Sequence, residues 1–261
     1  MKTILLAGMI ASSMAAQTLT EPPPLLQLIR KPRIGASPIR PYAEARAAVN
    51  VIGMTAVTGT PEVWLMEAHL AFASIEDLDK AVSAAAPAGP LNEPSSQTQE
   101  DVLPPGRALI GLYRPDWSYR SPQAIRLFPA ARYFHVSIYR IRPGADAEFG
   151  ELVRLRRQAM DKANFDRPDV AYQVISGAPA GTYVFLAPLT SLKRLDDGVA
   201  KMPVFAEAFA AAEETAGKKL AAEAEINREH LLFRVEPRIS WVSDDFASAD
   251  PEFWRGTAKE Q

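Results

Sequence analysis

The sequence predicts an α+β fold of two tandem βαββαβ modules, packed within one chain as a pseudo-dimeric α/β barrel. Three echoes along the 261 residues predict it. Ser74 to Val82 (SIEDLDKAV) matches Ser191 to Val199 (SLKRLDDGV), each a capping Ser followed by apolar residues three and four apart. Pro115 to Ser121 (PDWSYRS) matches Pro237 to Ser243 (PRISWVS) in the pattern Pro, two residues, Ser, aromatic, one residue, Ser. Leu25 to Gly35 (LLQLIRKPRIG) lies over Phe134 to Gly144 (FHVSIYRIRPG). All three keep the same order along the chain, and modest loop insertions account for their different offsets.

Periodicity gives each copy the same elements. In the first, strands are expected over Leu25 to Lys31, Met54 to Thr58, Glu62 to Ala68 and Ala108 to Arg114. Helices are expected over Pro38 to Val51 and Ser74 to Ala85. A Pro-, Ser- and Gln-rich loop joins Ala86 to Gly106. In the second copy, Tyr133 to Ile141 alternates as a strand. The helix from Asp146 to Asn164 puts Phe149, Leu152, Val153, Met160 and Ala163 on one face. Val170 to Ser176 and Tyr183 to Leu189 read as a hairpin about Gly177 to Gly181. A helix from Ser191, a long Ala-rich one from Pro203 to Asn227 and a strand from His230 to Glu236 complete it. This is the ferredoxin-like split βαβ order. The expected modules are residues 24–121 and 131–243, with a tail over 244–261 in which Phe253 and Trp254 dock.

Residues 1–16 read as a secretory signal: Lys2, the apolar run Ile4 to Ile10, and small residues up to Ala15 and Ala16. A periplasmic or secreted address follows. The chain has no Cys, so disulfides, thiolate metal sites and a lipid-bearing Cys are excluded. Its 29 basic and 31 acidic residues offer no field for nucleic acid, and no transmembrane segment is expected.

Tyr133 to Tyr139 (YFHVSIY), the Arg- and Glu-rich helix after it, and Tyr183 to Ser191 (YVFLAPLTS) resemble the dimeric α/β-barrel superfamily, which includes antibiotic-biosynthesis-type and haem-degrading monooxygenases. The resemblance implies that two modules of one chain stand in for two subunits, their sheets face to face. Phe134, Val136 and Ile138 are then assigned to the helix side of the strand. Tyr133, His135, Ser137 and Tyr139 are assigned to the barrel interior, with Tyr172 joining them as candidate ligand-binding residues. The first copy carries Leu26 and Leu28 over His135 and Ser137, which points to one working site per chain.

His135 is the catalytic candidate, as a general base or an axial ligand. Its bland alternative is a barrel-filling residue hydrogen-bonded to Tyr or backbone. His69 with Glu67 reads as an exposed pair at a strand end, and His230 as exposed. Three histidines on three strands give no zinc spacing, so no metal site is expected. Haem-degrading relatives use an Asn, a Trp and a His. Asn50, Trp64, His69 and His135 do not match that spacing, so no cofactor is required, with haem the one the resemblance admits. Tyr119 and Trp241 are expected to seal the barrel ends. Three functions follow: an exported barrel binding a small, largely apolar or aromatic molecule between its modules; a cofactor-free or haem-dependent monooxygenase using His135; or a structural, stress-related protein with a filled barrel. A homodimer is a further partner the sequence admits.

Overall fold

Because side chains alternate across a strand, the barrel's strand order fixes which residues face its interior and which face the helices. The computed structural model describes residues 20–32, 50–59, 61–69, 76, 107–216 and 220–256. Among these, the strands are β1 (Leu25–Pro32), β2 (Asn50–Ala56), β3 (Glu62–His69), β4 (Arg107–Tyr113), β5 (Tyr133–Ile141), β6 (Val170–Ser176), β7 (Thr182–Leu189) and β8 (Glu225–Val235). The helices are α1 (Ser121–Leu127), α2 (Asp146–Lys162), α3 (Lys193–Ala216), α4 (Leu220–Ala224), α5 (Asp244–Ala247) and α6 (Pro251–Arg255). The signal region, residues 38–49 of the helix expected over Pro38 to Val51, the loop 86–106 and all but Glu76 of the helix at Ser74 lie outside the described residues.

The strands close in the order β1-β3-β2-β8-β5-β7-β6-β4, every pairing antiparallel. Within each half the order is fourth, first, third, second. The halves meet at two short seams, Met54 to Ala56 on Val235 to Phe233, and Ile110 to Tyr113 on Ser176 to Tyr172. β8 pairs along the whole of β5, which draws Glu225 to Asn227 into the strand. The Ala-rich helix expected to reach Asn227 therefore ends earlier, and Pro203 lies inside α3 rather than at a helix start. β2 likewise begins at Asn50, since Asn50 and Val51 pair with Ala68 and Glu67, so these two residues are strand and not the helix expected to reach Val51.

The barrel interior is filled. Leu26, Leu28, Ile52, Met54, Trp64, Met66, Leu109, Phe134, Val136, Tyr172, Val174, Val184, Leu186, Phe233 and Val235, drawn from all eight strands, form one buried apolar cluster. Trp64 and Phe233 pack across a seam with ring centroids 4.5 Å apart. This reverses the expected faces of β5: Phe134 and Val136 point inward, and His135, Ser137 and Tyr139 point out towards the helices. The physical reason is packing, since a closed eight-stranded barrel leaves an interior that its own side chains fill. Leu26 and Leu28 thus share a face with Phe134 and Val136, so the alignment setting them over His135 and Ser137 slips by one residue and inverts the strand.

On the outer face of the second half, α2 lays Phe149, Leu152, Val153 and Leu155 against Tyr139, Ile141, Ala171, Tyr183 and Phe185. Asn164, with φ 49°, ends the turn after α2. The hairpin at 177–181 turns on Gly177 (φ +84°), where a Cβ would stand 1.9 Å from the Ala108 carbonyl oxygen.

The repeated Pro-x-x-Ser-aromatic motif is a clasp. Ser118 donates to the Arg114 carbonyl (2.8 Å) and accepts the Ala171 N–H of β6 (2.9 Å). Ser240 donates to the Glu236 carbonyl (2.7 Å) and accepts the Gly53 N–H of β2 (2.9 Å). Each segment leaves the last strand of one half and pins the second strand of the other. Backbone bonds extend the match: Arg114 N–H to Ala171 and Asp169 N–H to Tyr119 on one side, Glu236 N–H to Gly53 and a reciprocal Val51–Trp241 pair on the other. Gly53 is obligatory here, because a Cβ would lie 2.4 Å from the Ile239 carbonyl oxygen. Tyr119 and Trp241 therefore cover outer faces and do not seal barrel ends. The tail docks as expected: Trp254 is buried and its indole N–H donates to the Pro129 carbonyl at 2.7 Å.

Candidate functional site

The two outer faces covered by the clasps differ in chemistry. Over the first half, Ile239 and Trp241 pack on Ile29, Val51, Val63 and Leu65, all apolar. Over the second, Trp117 packs on the Phe149 and Tyr183 rings, while Tyr119 meets Asp169 in the place where Trp241 meets Val51 on the other face. Here α3 stands away from the sheet: it buries only Gly198, while Val199, Met202 and Val204 stay exposed. The gap between sheet, α2 and α3 is a cavity of about 590 Å³, within the range of small-molecule sites.

The strands supply one wall. His135, Ser137 and Tyr139 come from β5, Phe185 and Ala187 from β7, Arg228 and His230 from β8. Arg156, Arg157 and Met160 of α2 and Met202, Phe205 and Phe209 of α3 form the other, and Phe165, Arg167 and Asp169 close the end. Of the residues expected to bind a ligand, His135, Ser137 and Tyr139 meet at this cavity. Tyr133 shares their face but does not line it. Tyr172 lies inside the barrel, its hydroxyl donating to the Pro23 carbonyl at 3.1 Å, because β6 presents it on the inward set. The site is thus outside the lumen, beside the second half's helices, and not between facing sheets.

Ser137 and His230 share a hydrogen bond from Oγ to Nδ1 of 2.9 Å. His230 is otherwise exposed, and its ring stacks on His135 at 5.4 Å between centroids. His135 has no hydrogen-bond partner among the described residues. Burial, then the nearby Arg167 and His230, lowers its imidazole to about 4, so the ring is neutral at pH 7. Burial and the surrounding Arg228, Arg167 and Arg156 lower His230 as well. Asp169 goes the other way: burial raises its carboxyl to about 7 against the Tyr119 N–H it accepts (3.1 Å) and the pull of Arg167 and Arg157. A carboxyl poised near neutrality can move a proton at pH 7 more readily than His135 can.

The arginines, Asp169 and His230 were not anticipated as site residues. The Arg-rich stretch Arg154 to Arg157 was visible, but only the fold brings Arg156 and Arg157 to β5. Glu67, expected exposed beside His69, is fully buried on β3; the His69 side chain lies outside the described residues. Among the described residues no group of three or more His, Asp or Glu is placed to hold a metal, and no helix is long and apolar enough to cross a membrane.

No family model matches the chain, and no curated protein does. Solved structures do. A mutant chlorite dismutase from Candidatus Nitrospira defluvii is 11% identical with a TM-score of 0.49, covering 89% of this chain and 98% of that one. An anthrone oxidase-like protein is 12% identical with a TM-score of 0.48, covering 81% and 91%. A protein from Lactobacillus acidophilus named as a monooxygenase is 11% identical with a TM-score of 0.46, covering 81% and 93%. Identities this low concern shape alone.

Proposed function

We propose that this chain binds a small, largely apolar molecule in the cavity between the outer face of β5, β7 and β8 and helices α2 and α3. One observation carries the reading. The cavity is walled by Trp117, Phe165, Phe185, Phe205 and Phe209, and its polar groups include a neutral His135 and an Arg167 that neither hydrogen-bonds nor ion-pairs with a described residue. An apolar wall with a few unengaged polar groups is what a ligand pocket offers, and what a packed core avoids. If chemistry follows binding, Asp169 and His135 are the groups to carry it. The wider frame belongs to the same proposal: two ferredoxin-like modules, residues 24–121 and 131–243, arisen by duplication within the dimeric α/β-barrel superfamily, exported behind a signal over 1–16.

Native mass spectrometry of the mature protein, compared with its denatured mass, tests the reading. A non-covalent excess of one small molecule per chain is expected, either as purified or after adding aromatic candidates and haem. No excess with any of them would return the protein to a structural role with a filled barrel.

Haem is a second reading, favoured by His135. Its neutral imidazole makes no hydrogen bond to a described residue, aromatic walls flank it, and Arg167 stands at the end of the cavity for a propionate, so the residues present fit the group. His135 would hold the iron, and haem would supply redox chemistry. A Soret band lost in His135→Ala is the expected sign; an undisturbed band would remove His135 from that role.

A further inference from the structure

We propose that the molecule held in this cavity is an aromatic carboxylic acid, and that Arg167 receives its carboxylate. The inference rests on the cavity being a binding site and adds the class of ligand.

Four arginines line the cavity, against one carboxyl, Asp169. Three are already engaged. Arg156 donates to Glu225 at 2.6 Å and lies over the Tyr139 ring. Arg157 donates to the Asp116 carbonyl at 2.6 Å. Arg228, exposed, approaches Glu225 at 3.8 Å. Arg167 makes no hydrogen bond or ion pair with any described residue; its Cζ lies over the Phe165 ring, 5.8 Å from the centroid. It is half-buried at the end of the cavity, and burial weakens its hold on its proton. A guanidinium partly withdrawn from water and without a protein acceptor gains from one, and its planar fork of N–H donors matches a carboxylate.

Asp169, two residues on, does not meet this need. It stands beyond ion-pair distance of Arg167, and its Oδ1 already accepts the Tyr119 N–H. The surroundings are positive besides, since Arg167 is among the charges that depress both His135 and His230. An anion entering here gains from the whole field, while the aromatic walls select a flat apolar body behind it. Neutral His135 and the Tyr139 hydroxyl remain free to orient a second polar group.

The test uses the mature protein and two probes of one shape, 2-naphthoate and neutral 2-naphthamide, titrated calorimetrically. Naphthoate is expected to bind about 10- to 100-fold tighter, the range of a charge-assisted bond at a partly buried site. Arg167→Met should erase the preference for naphthoate over the amide, and Arg167→Lys should keep part of it. Equal affinity of the two probes for the wild type overturns the acid inference, without need of any variant, and leaves the pocket standing. A preference that survives Arg167→Met overturns the assignment to Arg167. If neither probe binds the wild type, the pocket reading itself fails, and this inference with it.

Discussion

Replacing Asp169 by Asn should make the protein more stable, and only where the carboxyl would be charged. In the folded chain that carboxyl stands at about 7, against 3.8 ordinarily, because burial outweighs the Tyr119 N–H and two arginines. The folded state therefore keeps a proton that the unfolded chain has released between about pH 4 and pH 7. The stability this contributes is complete below about pH 4 and lost as pH rises through 7. At about 1.4 kcal/mol per unit the loss is of the order of 4 to 5 kcal/mol, less whatever water in the open cavity recovers. Asn still offers an oxygen to the Tyr119 N–H. Urea unfolding of both proteins, followed by circular dichroism from about pH 4 to pH 8, should show equal stability at the acid end. The Asn variant should draw ahead by roughly 2 to 4 kcal/mol at the alkaline end. A constant gap would mean that folding leaves the carboxyl unshifted, and a variant that falls behind as pH rises would mean that Asp169 is ionised and stabilising beside Arg167; either refutes the reasoning. His135 acts in the opposite sense: lowered from 6.5 to about 4, it removes stability as pH falls through that window, so the wild-type profile should be flatter than that of the Asp169→Asn variant.

The two clasps give a second expectation. Ser118→Ala and Ser240→Ala should each cost about 1 to 3 kcal/mol in chemical denaturation, by leaving a strand N–H unsatisfied. Only Ser118→Ala should also weaken naphthoate binding, because its clasp carries Trp117 and Tyr119 into the cavity; equal effects on binding would deny the clasp that role. Neighbours on β5 give a third. Phe134→Ala should cost about 3 to 5 kcal/mol, as a large side chain fully buried in the barrel, and His135→Ala little by comparison at pH 7, while changing ligand affinity. The reverse ranking in thermal and binding assays would restore the inverted strand.

Three strands of the second half, β5, β6 and β7, could be read from sequence almost to the residue, because Tyr133 to Ile141 alternates and Gly177 and Gly181 supply the positive-φ turn between the other two. What alternation cannot say is which of two faces is inside. On β5 both sets carry large side chains, so a rule that put mixed chemistry in the lumen chose the wrong face. Phe134 and Val136 belong inside because strands from the other half close on them, a contact invisible to periodicity. The ends of β2 and β8 were misread for a related reason: Asn50, Val51 and Glu225 to Asn227 are held as strand by partners far along the chain. The Pro-x-x-Ser-aromatic echo was recognised as a repeat, but its meaning as a clasp needed Gly53 and Ala171 in place. Arg167 and Asp169 lie in a stretch with no periodic pattern, and only the fold sets them beside His135.

The chain's methionines permit the most direct test of where the ligand sits. Met160 and Met202 line the outer cavity, whereas Met54 and Met66 are packed in the barrel interior. With carbon-13 methyl-labelled methionine, titration with 2-naphthoate should move the Met160 and Met202 resonances by ring-current shifts and leave Met54 and Met66 in place. Shifts at Met54 and Met66, with Met160 and Met202 unmoved, would place the ligand in the lumen and contradict the account at its centre.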